Sequence, residues 1–265
     1  MRMRVIDLFA GCGGLSLGFI QAGYDVNQAV EFDSVIANTY QLNHPEVDMI
    51  VDDIKNIDTS GTFAGVNADI IIGGPPCQGF SMAGARIRHG FIDDPRNYLF
   101  KHYFNVVKEV MPKVFIMENV KGIATMQGGK IFKEIQRLFQ DSEALGGKSY
   151  HIYHRVINAA DFGVPQRRER MIILGTLIED ADIAALWEKT RADILREIPT
   201  YFDAVTVRDA IGNLPMTTSD GIITNPIPET EYEKYLSCEA KTITNHTRSQ
   251  HSKVAVERMK QIKQA

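Results

Sequence analysis

The chain has 265 residues, of which 44% are hydrophobic and 23% charged, and its net charge at neutral pH is −4. This is the balance of an ordinary globular protein with length enough for a real core, and a net negative charge does not advertise a nucleic-acid binder, although a local basic patch can supply that footprint. No apolar run approaches the ~18–20 residues needed to cross a bilayer, and the first residues lack the apolar stretch of a signal peptide. Three widely spaced cysteines, Cys12, Cys77 and Cys238, fit neither a disulfide framework nor a zinc site. A reducing, cytoplasmic compartment is expected, with no membrane and no metal as partner.

Taken in order, Arg4 to Phe9 reads as a first strand, followed by the glycine-rich turn Ala10-Gly11-Cys12-Gly13-Gly14. A helix follows, with Leu15, Leu17, Phe19 and Ile20 as its apolar positions, and Gly23 stops it. Val26 to Phe32 is a second strand, Ser34 to Asn43 a second helix, and Asp48 to Asp52 a short third strand. Ala68-Asp69-Ile70-Ile71-Ile72 is a buried fourth strand that breaks on Gly73-Gly74-Pro75-Pro76, just before Cys77. Asn97 to Val110 is helical, and Val114 to Met117 is a fifth strand running into Glu118-Asn119-Val120. Lys130 to Phe139 is an amphipathic helix. This alternation predicts an α/β fold with a doubly wound, mostly parallel sheet. Tyr150 to Ala159 and Met171 to Thr176, joined by a short link, predict an antiparallel pair at its edge. Beyond residue 178 the chain is acidic without repeated periodicity, then basic from Asn245. It divides into a main domain, 1–178, and a C-terminal extension, 179–265. No internal repeat or low-complexity tract is present.

Four constellations carry chemistry. The glycine turn lets a ligand approach the backbone closely, yet its spacing is neither a dinucleotide fingerprint nor a phosphate loop. Glu31 at the second strand end can reach the hydroxyls of a ribose, Phe32 offers a face for adenine, and Asp53 can accept from an exocyclic amine. Singly, such residues are more often caps or surface acids. Together they describe a nucleoside site without a phosphate grip, which points to S-adenosylmethionine. A lone turn cysteine is usually inert, but Cys77 and Glu118 at adjacent strand ends open onto one crevice. In Gln166-Arg167-Arg168-Glu169-Arg170, an extended backbone would turn Arg168 and Arg170 the same way, suited to holding an anion or a base carbonyl. A solvated basic turn is the plain alternative.

Asp7-Leu8-Phe9-Ala10-Gly11-x-Gly13-Gly14, Gly74-Pro75-Pro76-Cys77-Gln78-Gly79-Phe80-Ser81, Glu118-Asn119-Val120 and Gln166-Arg167-Arg168-x-Arg170 stand in the order found in DNA (cytosine-5)-methyltransferases, which the chain resembles over residues 4 to about 176. Val207 to Pro215 also looks like a segment of the bacterial, restriction-modification members. The resemblance implies the S-adenosylmethionine-dependent, Rossmann-like fold with an antiparallel edge strand. It also implies methyl transfer to C5 of a flipped-out cytosine in double-stranded DNA. Cys77 would attack C6, Glu118 would bond N3 and the exocyclic amine, and Arg168 and Arg170 would hold base and nucleophile in register. The implied cofactor residues are Asp7, Phe9, Gly11, Gly13, Gly14 and Leu15 around the turn, Glu31, Phe32, Asp53 and Ile54, and Pro75 and Leu99. Gln78, Ser81, Arg86, Arg88 and Gln166 are implied substrate contacts, within or beyond a loop, Met82 to Pro95, expected to close over DNA.

Physical chemistry asks for the same parts. C5 of cytosine is a poor nucleophile, covalent activation at C6 divides the difficulty, and a base inside a duplex must be extruded to reach a thiolate. The family's target-recognition region and its pocket-completing return segment are not found before Ala265. A truncated enzyme, or one half of a split enzyme with a second chain as partner, is therefore expected. Rival readings are a transfer-RNA cytosine methyltransferase, to which Gln78-Gly79-Phe80-Ser81 fits less well, and a non-catalytic scaffold subunit.

Overall fold

The computed structural model describes residues 2–76, 98–179, 182–197, 205–218, 220–236, 241–244, 246–247 and 251–261. A seven-stranded sheet is built from β1 (Arg4–Leu8), β2 (Asp25–Glu31), β3 (Asp48–Val51), β4 (Ile70–Gly73), β5 (Val114–Val120), β6 (His151–Asn158) and β7 (Glu169–Thr176). Its order is β3-β2-β1-β4-β5-β7-β6. The first five strands are mutually parallel, and β7 is antiparallel to both β5 and β6. The expected antiparallel pair therefore lies at the sheet edge, with β7 inserted between β5 and the outermost strand β6.

Period-two alternation divides the apolar side chains between two layers. Val5, Ile70 and Ile72 face a smaller core shared with Val26, Ala29, Tyr40 and Val47. That face carries α1 (Gly14–Gln21) and α2 (Ser34–Asn43). Ile6, Leu8 and Ile71 face the larger core, with residues of the short α3 (Thr59–Phe63), α4 (Leu99–Val110) and α5 (Lys130–Gln140). The larger core is aromatic at its centre: Phe115 and Phe139 lie 4.2 Å apart between ring centroids, with Tyr150 edge-on to Phe115 at 5.1 Å. Each such buried ring contributes roughly 1.5–3 kcal/mol by leaving water, more than helix propensity supplies to α5. Ile131, Phe132, Ile135 and Phe139 form the inward stripe of α5.

One expectation is corrected here. Of the apolar residues of α1, Phe19 packs against the smaller core, but the one fully buried residue is Ser16, while Leu15, Leu17 and Ile20 are exposed. The inner position touches a polar network, described below, rather than a hydrophobic layer.

Packing divides the chain into Met1–Ala159 with Arg168–Thr190, and Ala160–Arg167 with Arg191–Ala265. The sequence reading drew its division after residue 178. α6 (Ile183–Glu197) forms in the stretch that showed no repeated periodicity. The second unit holds α7 (Val207–Ile211), whose Thr206 and Asp209 form a reciprocal capping box, and α8 (Glu231–Leu236). β8 (Ile223–Thr224) pairs with β9 (Thr242–Ile243), and the basic α9 (Lys253–Lys260) follows. Its described core is small: Val205 and Tyr232, with Ala210 against them. No helix among the described residues is long and apolar enough to cross a membrane.

A cross-strand fit in the sheet yields a test. Phe115 on β5 faces Gly175 on β7, and a Cβ added at Gly175 would lie 2.0 Å from the Phe115 ring. Gly175→Ala should cost about 1–3 kcal/mol by overpacking, read as a lower urea midpoint.

Candidate functional site

The strand order reverses between β1 and β4, so their carboxyl ends flank a crevice, with β2 and β5 on either side. Four motifs arrive there. β1 delivers Asp7 and the glycine turn, β2 delivers Glu31 and Phe32, β4 delivers Gly74 and Pro75, and β5 delivers Glu118 and Asn119.

The turn is held in an unusual backbone path. Phe9 (φ 60°), Gly11 (φ 58°) and Gly13 (φ 90°) all lie in the left-handed region. Ala10 N–H donates to Val30 O at 3.0 Å, and Gly11 N–H to Glu31 Oε2 at 2.9 Å. The second Glu31 oxygen, Oε1, accepts N–H bonds from Phe32 and Asp33, both 3.1 Å. Glu31 is thus buried and fixed by three backbone donors, while the ring of Phe32 beside it is 69% exposed. Asp33 caps α2 by accepting from Val35 and Ile36 N–H.

Beneath the turn, Asp7 is fully buried. Its Oδ2 accepts from Ser16 Oγ at 2.7 Å, and Tyr40 Oη lies 2.7 Å from the same Oγ. With Asp7 ionised, Ser16 gives it its one proton, and Tyr40 then donates to Ser16. Among the described residues, Oδ1 of Asp7 is buried with no hydrogen-bond partner. Burial pushes the Asp7 carboxyl up to about 7; the Ser16 bonds oppose this and the charge of Glu31 adds to it. Asp53, after β3, pairs with Lys55 at 3.0 Å. Its burial pushes its carboxyl up, but the Lys55 hydrogen bonds and the charges of Lys55 and His102 outweigh this and hold it below the usual carboxylate range. Ile54 and Leu99 are buried in the larger core, Leu99 as the first residue of α4. Gly14 and Leu15 open α1 at the surface.

Across the crevice, Glu118 Oε1 accepts from Arg170 Nε at 2.7 Å, both side chains being about one-quarter exposed (29% and 24%). Glu118 Oε2 lies 3.3 Å from where a Cβ on Gly74 would stand, so glycine leaves that oxygen clear. Asn119 Nδ2 donates to Pro75 O at 3.0 Å, tying the Pro-Pro turn to β5. An exposed pair, Lys121 with Glu169, clamps the same strand ends. Arg168 lies just before β7, its N–H donating to Asn158 Oδ1 at 3.0 Å and its carbonyl accepting from Ala159 N–H at 2.9 Å. Of the two arginines, Arg170 is the one that meets Glu118. Gln166 belongs to the second unit. Cys77, Gln78, Ser81, Arg86, Arg88 and the loop Met82 to Pro95 lie outside the described residues. Ser16, Tyr40, His44 and Asn119 were not singled out from sequence; a serine at the inward position of an apolar helix was the available signal for the first.

An open α/β sheet with a nucleoside-sized set of groups at its switch point defines a methyltransferase-like α/β fold. The family model for the C-5 cytosine-specific DNA methylase matches residues 3–264, and the chain belongs to that family. Among curated relatives, the type II methyltransferase M1.HphI of Haemophilus parahaemolyticus is 37% identical over 266 residues, 99% of this chain and 62% of that protein. M.AquIA of Picosynechococcus, also a type II methyltransferase, is 39% identical over 82% of this chain and 91% of its own length. The chain therefore spans about three-fifths of the first of these relatives. A crystal structure of a prophage-encoded E. coli protein, described as a DNA modification methyltransferase, superposes with TM-score 0.66 at 31% identity, covering 97% of this chain and 74% of that one. Dnmt2 methyltransferase of S. pombe shares the fold, with TM-score 0.55 at 23% identity over 71% of this chain and 55% of its own.

The cofactor of this family is S-adenosylmethionine. The residues present suit it: among the described residues Oδ1 of Asp7 is a buried acceptor without a partner and no atom stands within 4 Å of a Cβ placed on Gly11, while Phe32 is exposed.

Asp7 gives a pH signature. A carboxyl raised from 3.8 to about 7 by folding contributes stability that is complete below about pH 4 and lost as pH rises through about 7. Asp7→Asn removes this loss. The variant should gain on wild type between those limits by at most about 4 kcal/mol, measured from urea midpoints across pH.

Proposed function

We propose that the chain is the catalytic part of a DNA (cytosine-5)-methyltransferase, with Cys77 as the nucleophile. The observation that carries this reading is the Glu118–Arg170 pair beside Gly74, at the strand end next to the one that leads into Cys77. A thiolate adding to C6 of an extruded cytosine pushes electron density onto C5, N3 and the carbonyl. Glu118 is positioned to accept from the exocyclic amine and to mediate the proton at N3, while Arg170 balances its charge and fixes its orientation. When bound, S-adenosylmethionine supplies an electrophilic methyl group to C5. Loss of the C5 proton and expulsion of the Cys77 thiolate then regenerate the ring and the enzyme. Glu31 serves the ribose hydroxyls, Phe32 the adenine face and Asp53 the adenine amine. Curated relatives named as type II methyltransferases support DNA rather than transfer RNA as substrate.

The reading also holds that further protein completes the pocket, on a longer polypeptide or on a second chain. The outward-facing Leu15, Leu17 and Ile20 of α1 and the greater length of M1.HphI support this. These 265 residues alone should bind cofactor weakly and methylate no defined site; robust, sequence-specific methylation by the purified chain would overturn that part.

The central test uses duplex DNA carrying 5-fluorocytosine, whose fluorine blocks the final elimination, with the completing protein present. Wild type should form a covalent protein–DNA adduct; Cys77→Ser should form none while keeping its affinity for S-adenosylmethionine. An adduct with Cys77→Ser, or wild-type reaction with transfer RNA in place of DNA, refutes the assignment. Arg170→Lys loses the planar donor set of the guanidinium and should slow adduct formation by about tenfold or more.

A further inference from the structure

Three side chains at the end of α2 reach the glycine turn and the helix that it opens. Tyr40 Oη hydrogen-bonds Ser16 Oγ in the first turn of α1 at 2.7 Å, Asn43 Nδ2 donates to Cys12 O at 3.2 Å, and His44 Nε2 lies 3.0 Å from Gly13 O. A carbonyl only accepts, so His44 carries its proton on Nε2. The imidazole is buried and packs on the Tyr40 ring at 4.8 Å between centroids. It also fills the space beside Gly13, where a Cβ would stand 2.4 Å from the ring. The other end of α2 is capped by Asp33, whose N–H bonds Glu31. One ten-residue helix thus connects the carboxylate at the end of β2 to the turn at the end of β1.

From this geometry we infer that Tyr40, Asn43 and His44 are positioning residues that fix the glycine turn relative to Glu31, and so set the methyl-donor end of the cofactor site. The inference rests on the functional reading above for its ligand. Strand order shows which part of the ligand is affected. Nucleoside groups sit at the ends of β2 and β3, whereas Glu118 is on β5, with β1 and β4 between them. The part of the cofactor that carries the transferred methyl must therefore cross the end of β1, where the turn lies. The adenosine part touches groups on β2 and β3 that α2 supports from its capped end. Loosening the last turn of α2 should then weaken S-adenosylhomocysteine while leaving adenosine nearly unaffected. Gly11 and Gly13 make the requirement plain: their left-handed conformations carry little steric penalty but leave the turn free to move unless something holds it.

The experiment compares wild type with His44→Ala, with His44→Gln, whose terminal amide can replace the Nε2 donor, and with Asn43→Ala, whose side chain is at the surface. Amide hydrogen exchange at residues 11–14 is read first on the full chain. His44→Ala should speed it about tenfold, His44→Gln should restore much of the protection, and Asn43→Ala should give a smaller increase. Ligand-observed titrations with S-adenosylhomocysteine and with adenosine follow. The expected result is about tenfold weaker binding of the first in His44→Ala and less than about a twofold change for the second. Unchanged exchange at 11–14 in a folded His44→Ala overturns the inference. So does equal weakening of both ligands, which marks general loosening. If wild type binds neither ligand and Glu31→Ala changes nothing, the cofactor reading fails instead, and the exchange pattern alone decides whether α2 holds the turn. Should His44→Ala not fold, His44→Gln and Asn43→Ala decide by the same measurements.

Discussion

The closeness of β1 and β4 at the switch point is the constraint on which the site depends. Leu8 and Gly73 are register partners, and a Cβ on Gly73 would stand 2.2 Å from Leu8 O. Any other residue would pry the two strand ends apart. With glycine there, the backbones run together until both chains turn outward, one into the glycine turn and the other into Gly74-Pro75. The hydroxyl of Tyr103 secures the far side of β4, lying 3.0 Å from Ile71 O and 3.1 Å from Ile116 O. Burial keeps that phenol well above its usual range, so it remains a neutral donor at any relevant pH. The crevice is thus defined by backbone approach before any functional side chain enters it.

Backbone chemistry also governs the charges. Two carboxylates occupy neighbouring strand ends, but their surroundings differ. Glu31 receives three N–H bonds, whereas Asp7 is bonded through Ser16 alone and is otherwise enclosed by the sheet and α1. The enclosed acid is pushed up to about 7, in part by its neighbour's charge. On the opposite side, Glu118 is held through Oε1 by a guanidinium, that of Arg170.

Most of this frame could be read from residues. The β-branched run Ile70-Ile71-Ile72, the breaks at Gly73 and Pro75, and acids placed just after strands are local signals, and local signals survive folding. What escaped was long-range. Nothing near Ser16 in the sequence announces that Asp7 and Tyr40, 9 and 24 residues away, will meet its hydroxyl. His44 reads as a helix end, and only its 31-residue reach back to Gly13 reveals a role. The pairing of Arg170 with Glu118 likewise depends on β5 and β7 lying side by side, which neither motif announces. α6 escaped for another reason, because a helix without a clear apolar stripe gives no periodic signal.

The inside-out character of α1 links these points. A helix that buries Ser16, exposes Leu15, Leu17 and Ile20 and keeps only Phe19 against the core sacrifices much of the usual gain of an apolar face. That loss is tolerable because the buried serine completes the Asp7–Tyr40 bridge, which an alanine or leucine could not do. The helix is therefore held to the sheet by one ring, Phe19 against the smaller core, and by one buried hydroxyl, Ser16 beneath the turn. A contact through a hydroxyl is directional where an apolar contact is not, so the start of α1, and with it the end of the glycine turn, is fixed in one orientation over Asp7.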